Sequence, residues 1–138
     1  MHLRRLPLYF VLGAVLGWQM WQNAPRLWTW RQTAGLSLVI AGFCFWLTAH
    51  IQLGASFSLT PQARKLVTRG LYSKVRNPIY VFGLITIAGV VLYWNRPYLL
   101  WIFAVVIPLQ AWRARKEARV LEEKFGEDYR AYRRQTWF

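Results

Sequence analysis

The chain of 138 residues is short enough for one domain, and it combines 56% hydrophobic residues with a net charge of +13. This apolar content is not typical of a disordered chain. All five acidic side chains lie from Glu117 onward, so residues 1–116 hold no side-chain carboxylate. Paired-carboxylate catalysis and calcium or magnesium cages are therefore excluded there. One cysteine and two histidines also exclude a disulfide framework and a Cys/His zinc site, and we expect no metal.

Four uncharged runs contain most of the large apolar residues. They cover residues 6–25, 32–63, 77–95 and 97–112. A helix needs about 20 apolar residues to cross a bilayer. The fourth run reaches this length only if its helix continues into the following basic segment, where long side chains can snorkel. The sequence predicts membrane spans at about 6–23, 34–57, 78–94 and 97–112.

The basic residues are distributed unevenly between the loops. All 18 lysine and arginine residues except Arg26, Arg31 and Arg96 lie at the ends of the spans that share one side. Cytoplasmic loops carry this excess of positive charge in membrane proteins. We therefore expect both termini and the 60–77 loop to be cytoplasmic.

Turn residues place the helix ends. Asn77-Pro78 combines a helix-capping residue with proline at the first helical position, so the third span should begin at Pro78. Pro97 follows a short polar turn, which makes the third and fourth spans an antiparallel hairpin. Pro108 predicts a kink in the fourth span.

The end of the chain has a different pattern. Apolar residues recur among charges over residues 113–125, and Gly126 follows them. This predicts an amphipathic helix that ends at Gly126. The predicted fold is thus an all-α integral membrane protein, a single domain over residues 1–138, with four transmembrane helices and a cytoplasmic amphipathic C-terminal helix.

Small and polar residues inside the spans indicate helix packing. Gly13 and Gly17 form a GxxxG pair, which favours close packing within the chain or between two copies. His50 and Gln52 are costly in lipid, so we expect them to face protein or water. The simplest role for either side chain is an interhelical hydrogen bond near the cytoplasmic interface.

The fingerprints of soluble cofactor-binding folds are absent: the sequence has no G-x-G-x-x-G after a strand, no G-x-x-x-x-G-K-[ST] and no H-E-x-x-H. Two cytoplasmic segments are more informative. Residues 62–80 read QARKLVTRGLYSKVRNPIY, and residues 113–132 read RARKEARVLEEKFGEDYRAY. Together, and separated by two spans, they resemble the isoprenylcysteine carboxyl methyltransferase family. Its members are integral-membrane enzymes that use S-adenosyl-L-methionine, and they are related to phospholipid methyltransferases.

The resemblance implies a cofactor site and a substrate site. Arg113 would hold the substrate's carboxylate, and Tyr80 would share the catalytic site with it. The residues implied to contact the cofactor are Gln62, Arg64, Lys65, Leu66, Val67, Tyr72, Asn77, Pro78, Ile79, Tyr80 and Glu117. Two positions depart from the family pattern: Asn77 stands where a histidine is usual, and Ala118 replaces the second glutamate of a pair.

Elementary chemistry agrees with these assignments. A helix that begins at Pro78 points N–H groups and a positive dipole end at the cytoplasmic interface, where a carboxylate could bind. Glu117 is the first acid of the chain and could accept hydrogen bonds from a nucleoside. Other interpretations stay open: Arg113 and Glu117 have the spacing of a surface ion pair, and the 64–76 loop could serve only topology and lipid contacts.

The sequence therefore predicts methyl transfer from S-adenosyl-L-methionine to a lipophilic acceptor, most simply the carboxylate of a prenylated or lipid-like acid. The expected partners are the lipid bilayer and a lipophilic or lipidated substrate, with no nucleic acid. Two alternatives remain. One is a phospholipid or amine N-methyltransferase, and the other is a non-catalytic membrane protein that binds anionic lipid or a partner.

Overall fold

The computed structural model describes residues 6–54 and 66–137, and the regular structure in these two stretches is helical without a strand. The four long helices are α1 (Leu6–Gln22), α2 (Trp30–Leu53), α3 (Pro78–Trp94) and α4 (Trp101–Gln135). Short 3-10 turns cover Gly70–Ser73 and Pro97–Leu100. The all-helical prediction is confirmed for these residues.

Side-chain contacts show that α1 and α2 run antiparallel. Near the start of α1, the Tyr9 ring packs edge-on against Trp46 near the end of α2, with ring centroids 5.5 Å apart. Near the end of α1, Met20 shares a buried apolar cluster with Val39 of α2 and Tyr93 of α3. The Tyr93 hydroxyl also donates a hydrogen bond to the Met20 carbonyl oxygen at 3.0 Å. This bond ties α1 to α3.

Glycines bring the backbones of α2 and α3 almost into contact. A Cβ on Gly35 would lie 2.5 Å from the backbone nitrogen of Tyr93, and a Cβ on Gly89 would lie 2.7 Å from that of Val39. Seven residues after Gly35, a Cβ on Gly42 would lie 2.7 Å from Thr86 Oγ1. Such small residues are typical of tightly packed membrane helices. The pairing is antiparallel, because positions later in α2 meet positions earlier in α3.

The predicted GxxxG pair of α1 contributes less to packing than this interface. A Cβ on Gly13 would lie 3.1 Å from the Phe43 ring, but a Cβ on Gly17 would meet nothing within 4 Å among the described residues. The expectation of close packing within the chain therefore holds for Gly13 only.

The predicted helix boundaries are partly right. Helix α3 begins at Pro78 and ends at Trp94, where Asn95 adopts a left-handed conformation with φ of 51°. Helix α2 begins earlier than expected, at Trp30, because the Thr29 N–H donates to Gln32 Oε1 at 3.0 Å and caps the first turn. It ends at Leu53, and the expected extension to residue 57 lies outside the described residues.

The helix after Pro97 runs on without a break across residues 112 and 113, where the fourth span was expected to meet the C-terminal helix. Within α4 (Trp101–Gln135) the backbone angles are non-helical at Gly126, with φ of 50° and ψ of −118°, so two helices, residues 101–125 and 127–135, meet at a kink there. The backbone angles at Pro108 are helical. Glycine adopts a positive φ without steric cost, so the chain changes direction at Gly126. The predicted helix end at Gly126 is therefore confirmed, and a second, shorter helix that was not predicted follows it.

Two of the described helical segments, Trp30–Leu53 and Pro97–Gln135, are long and apolar enough to cross a membrane, judged by length and composition. Helix α3 is apolar but has 17 residues, about 26 Å at the usual helical rise. Large apolar side chains project outward from α1 and from the first half of α4, including Phe10, Trp18, Trp101 and Val105. The four-span arrangement and the amphipathic character of the C-terminal helix stay predictions.

The glycine contacts generate a stability prediction. Gly35→Ala should lower the unfolding temperature in detergent, because the new methyl group must push apart two backbones, an overpacking cost of about 1–3 kcal/mol. Gly17→Ala is the matched control: it adds the same methyl group to a helix where space is open. It should leave the unfolding temperature unchanged or raise it, because alanine is the better helix former by about 1 kcal/mol. Equal effects of the two changes would contradict the packing.

Candidate active site

Three of the predicted site residues meet where the start of α3 contacts α4. The Tyr80 hydroxyl donates a hydrogen bond to Glu117 Oε1 at 2.6 Å, and Arg113 Nε lies 3.4 Å from the same oxygen. The Arg113 guanidinium also interacts with the Tyr80 hydroxyl. We refer to Tyr80, Arg113 and Glu117 as the polar cluster.

The polar cluster is accessible to a ligand. The side chains of Arg113 and Glu117 are 31% and 29% exposed. The contacts of Tyr80 and Arg113 with Glu117 both use Oε1. Because a carboxylate can accept about four hydrogen bonds, Glu117 can take a further donor without losing Tyr80 or Arg113.

The local sequence explains how the cluster forms. Arg113 and Glu117 are one helical turn apart on α4, so their side chains lie on the same face. Tyr80 is the third residue of α3, and the fully buried Pro78 fixes the direction in which that helix begins. The antiparallel hairpin of α3 and α4 then brings Tyr80 to this face of α4.

Tyr72 lies on the 3-10 turn at Gly70–Ser73, near enough to the polar cluster for the charge of Glu117 to act on it. Its side chain is buried, and burial raises the pKa of the Tyr72 hydroxyl, with further contributions from the Tyr132 hydroxyl and the Glu117 charge. The phenol is therefore neutral and can donate a hydrogen bond at physiological pH. The electrostatic influence of Glu117 indicates that the two side chains are close to each other.

The start of α3 differs in one respect from the expectation. Asn77 occupies the capping position, and its carbonyl oxygen accepts hydrogen bonds from the N–H groups of Tyr80 and Val81 at 3.1 and 3.2 Å. The Asn77 side chain makes no capping hydrogen bond, so the predicted capping role of that side chain is wrong. Its backbone angles, φ of −122° and ψ of 57°, direct the chain into the helix without it. Ile79 is half-buried.

The remaining predicted cofactor contacts lie before this turn. Leu66 and Val67 are half-buried in irregular backbone at the start of the second described stretch. Gln62, Arg64 and Lys65 lie outside the described residues. Their roles stay predictions.

Two residues near the site were not assigned a role by the motif. Gln52 Oε1, at the end of α2, accepts a hydrogen bond from the Leu71 N–H at 2.7 Å. The Tyr132 hydroxyl, at the end of α4, donates to the Tyr72 carbonyl oxygen at 2.7 Å. The expectation that Gln52 faces protein is confirmed. The sequence indicated it because Gln52 is a polar residue in an otherwise apolar span.

Tyr132 also gives the protein a pH dependence in the alkaline range. Burial, followed by the neighbouring Tyr129, raises the pKa of Tyr132 to about 12, against the opposing charge of Arg76. A pKa raised above the unfolded value of 10.0 means that folding favours the neutral phenol. Stability from this group is complete below the unfolded pKa and is lost as pH rises toward the folded pKa.

We therefore expect the unfolding temperature in detergent to fall as pH rises from about 10 to 12, and to fall less steeply in Tyr132→Phe. Tyr72 and Tyr129 have pKa values shifted in the same direction, so part of the slope should remain. Thermal unfolding followed by intrinsic fluorescence at several pH values measures both slopes. Identical slopes would show that Tyr132 does not titrate in this way.

Comparison with known proteins defines the class to which this site belongs. Residues 30–128 match the family model described as phospholipid methyltransferase, so the chain belongs to this methyltransferase family. The matched segment includes the whole polar cluster.

Named relatives narrow the comparison to isoprenylcysteine methyltransferases. A protein-S-isoprenylcysteine O-methyltransferase of Rattus norvegicus is 32% identical over 126 residues, which cover 84% of this chain and 43% of the relative. Protein-S-isoprenylcysteine O-methyltransferase B of Arabidopsis thaliana is 34% identical over 109 residues, which cover 75% of this chain and 55% of the relative. The chain spans about half the length of the curated relatives it matches. The family resemblance seen in the two motif segments is confirmed.

Proposed function

We propose that the protein is a multi-pass membrane enzyme that transfers a methyl group from S-adenosyl-L-methionine to the carboxylate of a prenylated or otherwise lipid-like acid. The observation that carries the proposal is the polar cluster, in which Tyr80 of one motif segment contacts Glu117 and Arg113 of the other. The family match supports methyl transfer. The relatives named for isoprenylcysteine support the class of acceptor.

The residues of the site fit S-adenosyl-L-methionine. The Glu117 carboxylate, which can accept about four hydrogen bonds, could accept some from the ribose hydroxyls or the amino group of the nucleoside. The α3 N-terminus, which the Asn77 side chain leaves uncapped, suits the carboxylate of the cofactor. The aromatic rings of Tyr72 and Tyr80 could contact adenine or the sulfonium. When bound, the cofactor supplies an electrophilic methyl group attached to a sulfonium.

The family resemblance adds the segment before the 3-10 turn to the proposed cofactor contacts. Besides Tyr72, Asn77, Pro78, Ile79, Tyr80 and Glu117, these contacts are Gln62, Arg64, Lys65, Leu66 and Val67. No metal takes part in the proposed reaction.

Arg113 is the proposed anchor of the acceptor's carboxylate. A guanidinium has five N–H donors in a planar fork, so Arg113 can contact Glu117 through Nε and still grip a carboxylate. Methyl transfer to a carboxylate needs no protein nucleophile. The protein's contribution would be to align the two reactants and to exclude water.

We also propose four spans with both termini and the 60–77 loop in the cytoplasm. The antiparallel contacts support a common side for these segments, because the polar cluster, the 3-10 turn at Gly70–Ser73 and the start of α1 share one end of the bundle. The excess of basic residues at that end supports the cytoplasmic assignment. The opposite end holds the Arg31–Asn95 hydrogen bond at 3.1 Å and many exposed aromatic rings. Such rings are typical of a membrane interface.

Labelling of single cysteines tests this topology. In a Cys44→Ser background, Thr29→Cys and Arg96→Cys should react with an impermeant thiol reagent in intact cells. Arg69→Cys should react only after the membrane is permeabilised. The reverse pattern would invert the proposed orientation, and reaction of all three from outside would contradict the four-span topology.

A phospholipid or amine N-methyltransferase is the second candidate, because the matching family model is named for phospholipid methyltransferase. Its acceptor would be a neutral amine, for which Arg113 has no direct use. In that case Arg113 would serve mainly as the ion-pair partner of Glu117.

Cofactor binding is the first test, because it requires no knowledge of the acceptor. Calorimetry of the purified protein in detergent should detect S-adenosylhomocysteine binding, and Glu117→Gln and Tyr80→Ala should each weaken it at least tenfold, about 1.4 kcal/mol. Glu123→Gln is the control, since it removes the same charge from an exposed position on α4. Absence of binding to the wild type at millimolar ligand would contradict the methyltransferase proposal and favour a non-catalytic lipid-binding role.

Arg113→Lys separates the two classes of acceptor. The change keeps the charge but removes the planar fork that grips a carboxylate, so cofactor affinity should persist while transfer to a prenylated acid falls by at least about tenfold. Arg119→Lys, at an exposed position on the same helix, should leave both unchanged. Unchanged transfer to an amine acceptor in Arg113→Lys would support the N-methyltransferase, and lost cofactor affinity would make Arg113 part of the cofactor site.

A further inference from the structure

The turn that carries Tyr72 is held by side chains from two different helices. Gln52 of α2 accepts a hydrogen bond from the Leu71 N–H, and Tyr132 of α4 donates one to the Tyr72 carbonyl oxygen, each at 2.7 Å. The two bonds fix the main chain at consecutive residues. A short turn outside the long helices has few backbone hydrogen bonds of its own, so these contacts determine its position.

Gly70 makes the contact with Gln52 possible. Its φ of 63° lies in the left-handed region, and a Cβ at this position would overlap the Gln52 side-chain amide. Only glycine combines this backbone conformation with room for the amide. The sequence thus places a glycine where the end of α2 reaches the Tyr72 turn.

The C-terminal segment, residues 127–137, holds the other end of the same loop. The Trp137 N–H donates to the Lys74 carbonyl oxygen at 2.7 Å, and the Arg76 N–H donates to the Trp137 carbonyl oxygen at 3.0 Å. The change of direction at Gly126 precedes this segment. The loop from Leu71 to Arg76 is therefore held along its length by residues that lie outside the polar cluster.

We propose that Gln52 and Tyr132 are positioning residues, which hold Tyr72 in place for the cofactor without contacting the cofactor themselves. This inference rests on the proposed function, in which Tyr72 lines the cofactor site. Without these hydrogen bonds the turn would have to become ordered when the cofactor binds, and the loss of conformational freedom would reduce the affinity for the cofactor. The two hydrogen bonds order the turn in advance.

The positioning role predicts an effect that is specific to the cofactor. Loosening the Tyr72 turn should weaken cofactor binding and raise the KM for S-adenosyl-L-methionine. The KM for the acceptor should change little, since the proposed acceptor anchor, Arg113, is held by Glu117 on α4. A purely structural role for Tyr132 would lower stability without this selectivity.

The chain contains a matched control for the experiment. Tyr132 and Tyr93 are both buried, and each donates from its hydroxyl to a main-chain carbonyl more than fifty positions away in sequence, at 2.7 and 3.0 Å. Tyr93 makes its bond at the opposite end of the bundle. Phenylalanine at either position removes one hydroxyl and keeps the ring.

The experiment measures S-adenosylhomocysteine affinity by calorimetry and the ligand-free unfolding temperature for the wild type, Tyr132→Phe and Tyr93→Phe. Loss of one such hydrogen bond should weaken affinity about fivefold in Tyr132→Phe. Tyr93→Phe should bind like the wild type, even if its unfolding temperature falls as much. Equal affinities in the wild type and Tyr132→Phe, or equal weakening in both variants, would overturn the inference.

Substitutions at Gln52 provide an independent test of the inference. Gln52→Met has a similar length but only a weak sulfur acceptor, so it should weaken S-adenosylhomocysteine binding. Gln52→Glu keeps an acceptor oxygen for the Leu71 N–H, so it should bind more nearly like the wild type. Wild-type affinity in Gln52→Met would overturn the role of Gln52. A wild type that binds no S-adenosylhomocysteine would instead overturn the proposed function, and with it this inference.

Discussion

The close approach of α2 and α3 is the constraint on which the other contacts depend. Gly35, Gly42 and Gly89 remove the side chains that would separate the two backbones, so the helices pair along much of their length. Packing at this distance gains dispersion contacts, which are a main source of attraction between helices in lipid. It also fixes the end of α2 beside the loop that leads into α3. Gln52 can therefore reach Leu71.

Helix α4 is attached to this pair in a different way. Its described contacts with the loop and the start of α3 are polar and lie from Arg113 onward, at the polar cluster and at the bond from Tyr132 to Tyr72. The large side chains of its first half, such as Trp101 and Val105, are exposed. Helix α4 is thus held by hydrogen bonds from Arg113 onward and exposed over its first half. This arrangement suits an enzyme whose acceptor must enter from the lipid, as we propose.

Much of the site was predictable because its signals are local. The dipeptide Asn77-Pro78 marks a helix start that the structure places at Pro78, and the spacing of Arg113 and Glu117 puts them on one face whatever the tertiary fold. Glu117 was identifiable as the first acid after a long stretch without one. The family motifs then indicated that Tyr80 belongs with them, and the structure brings the three together.

The missed features depend on tertiary contacts. Gly35 and Gly42 do not form a GxxxG pair, so their packing on α3 had no local sequence signal, whereas the GxxxG pair at Gly13 and Gly17 overstated the packing of α1. At Gly126 the sequence indicated the end of a helix but not the second helix that follows it. A positive φ serves equally to end a helix and to redirect it, and the choice depends on whether the following residues find a surface on which to pack. Here Tyr132 finds that surface at the Tyr72 turn.

The polar cluster also explains how a single acid can serve both the fold and a ligand. Glu117 uses Oε1 for both Tyr80 and Arg113, and these two contacts hold its side chain in one orientation. A carboxylate oriented before a ligand arrives does not lose further rotamer freedom on binding, which otherwise costs about 0.5–1.5 kcal/mol for a flexible side chain. The ion pair that would be a weak surface contact on an isolated helix thus orients the group on which the proposed cofactor site depends.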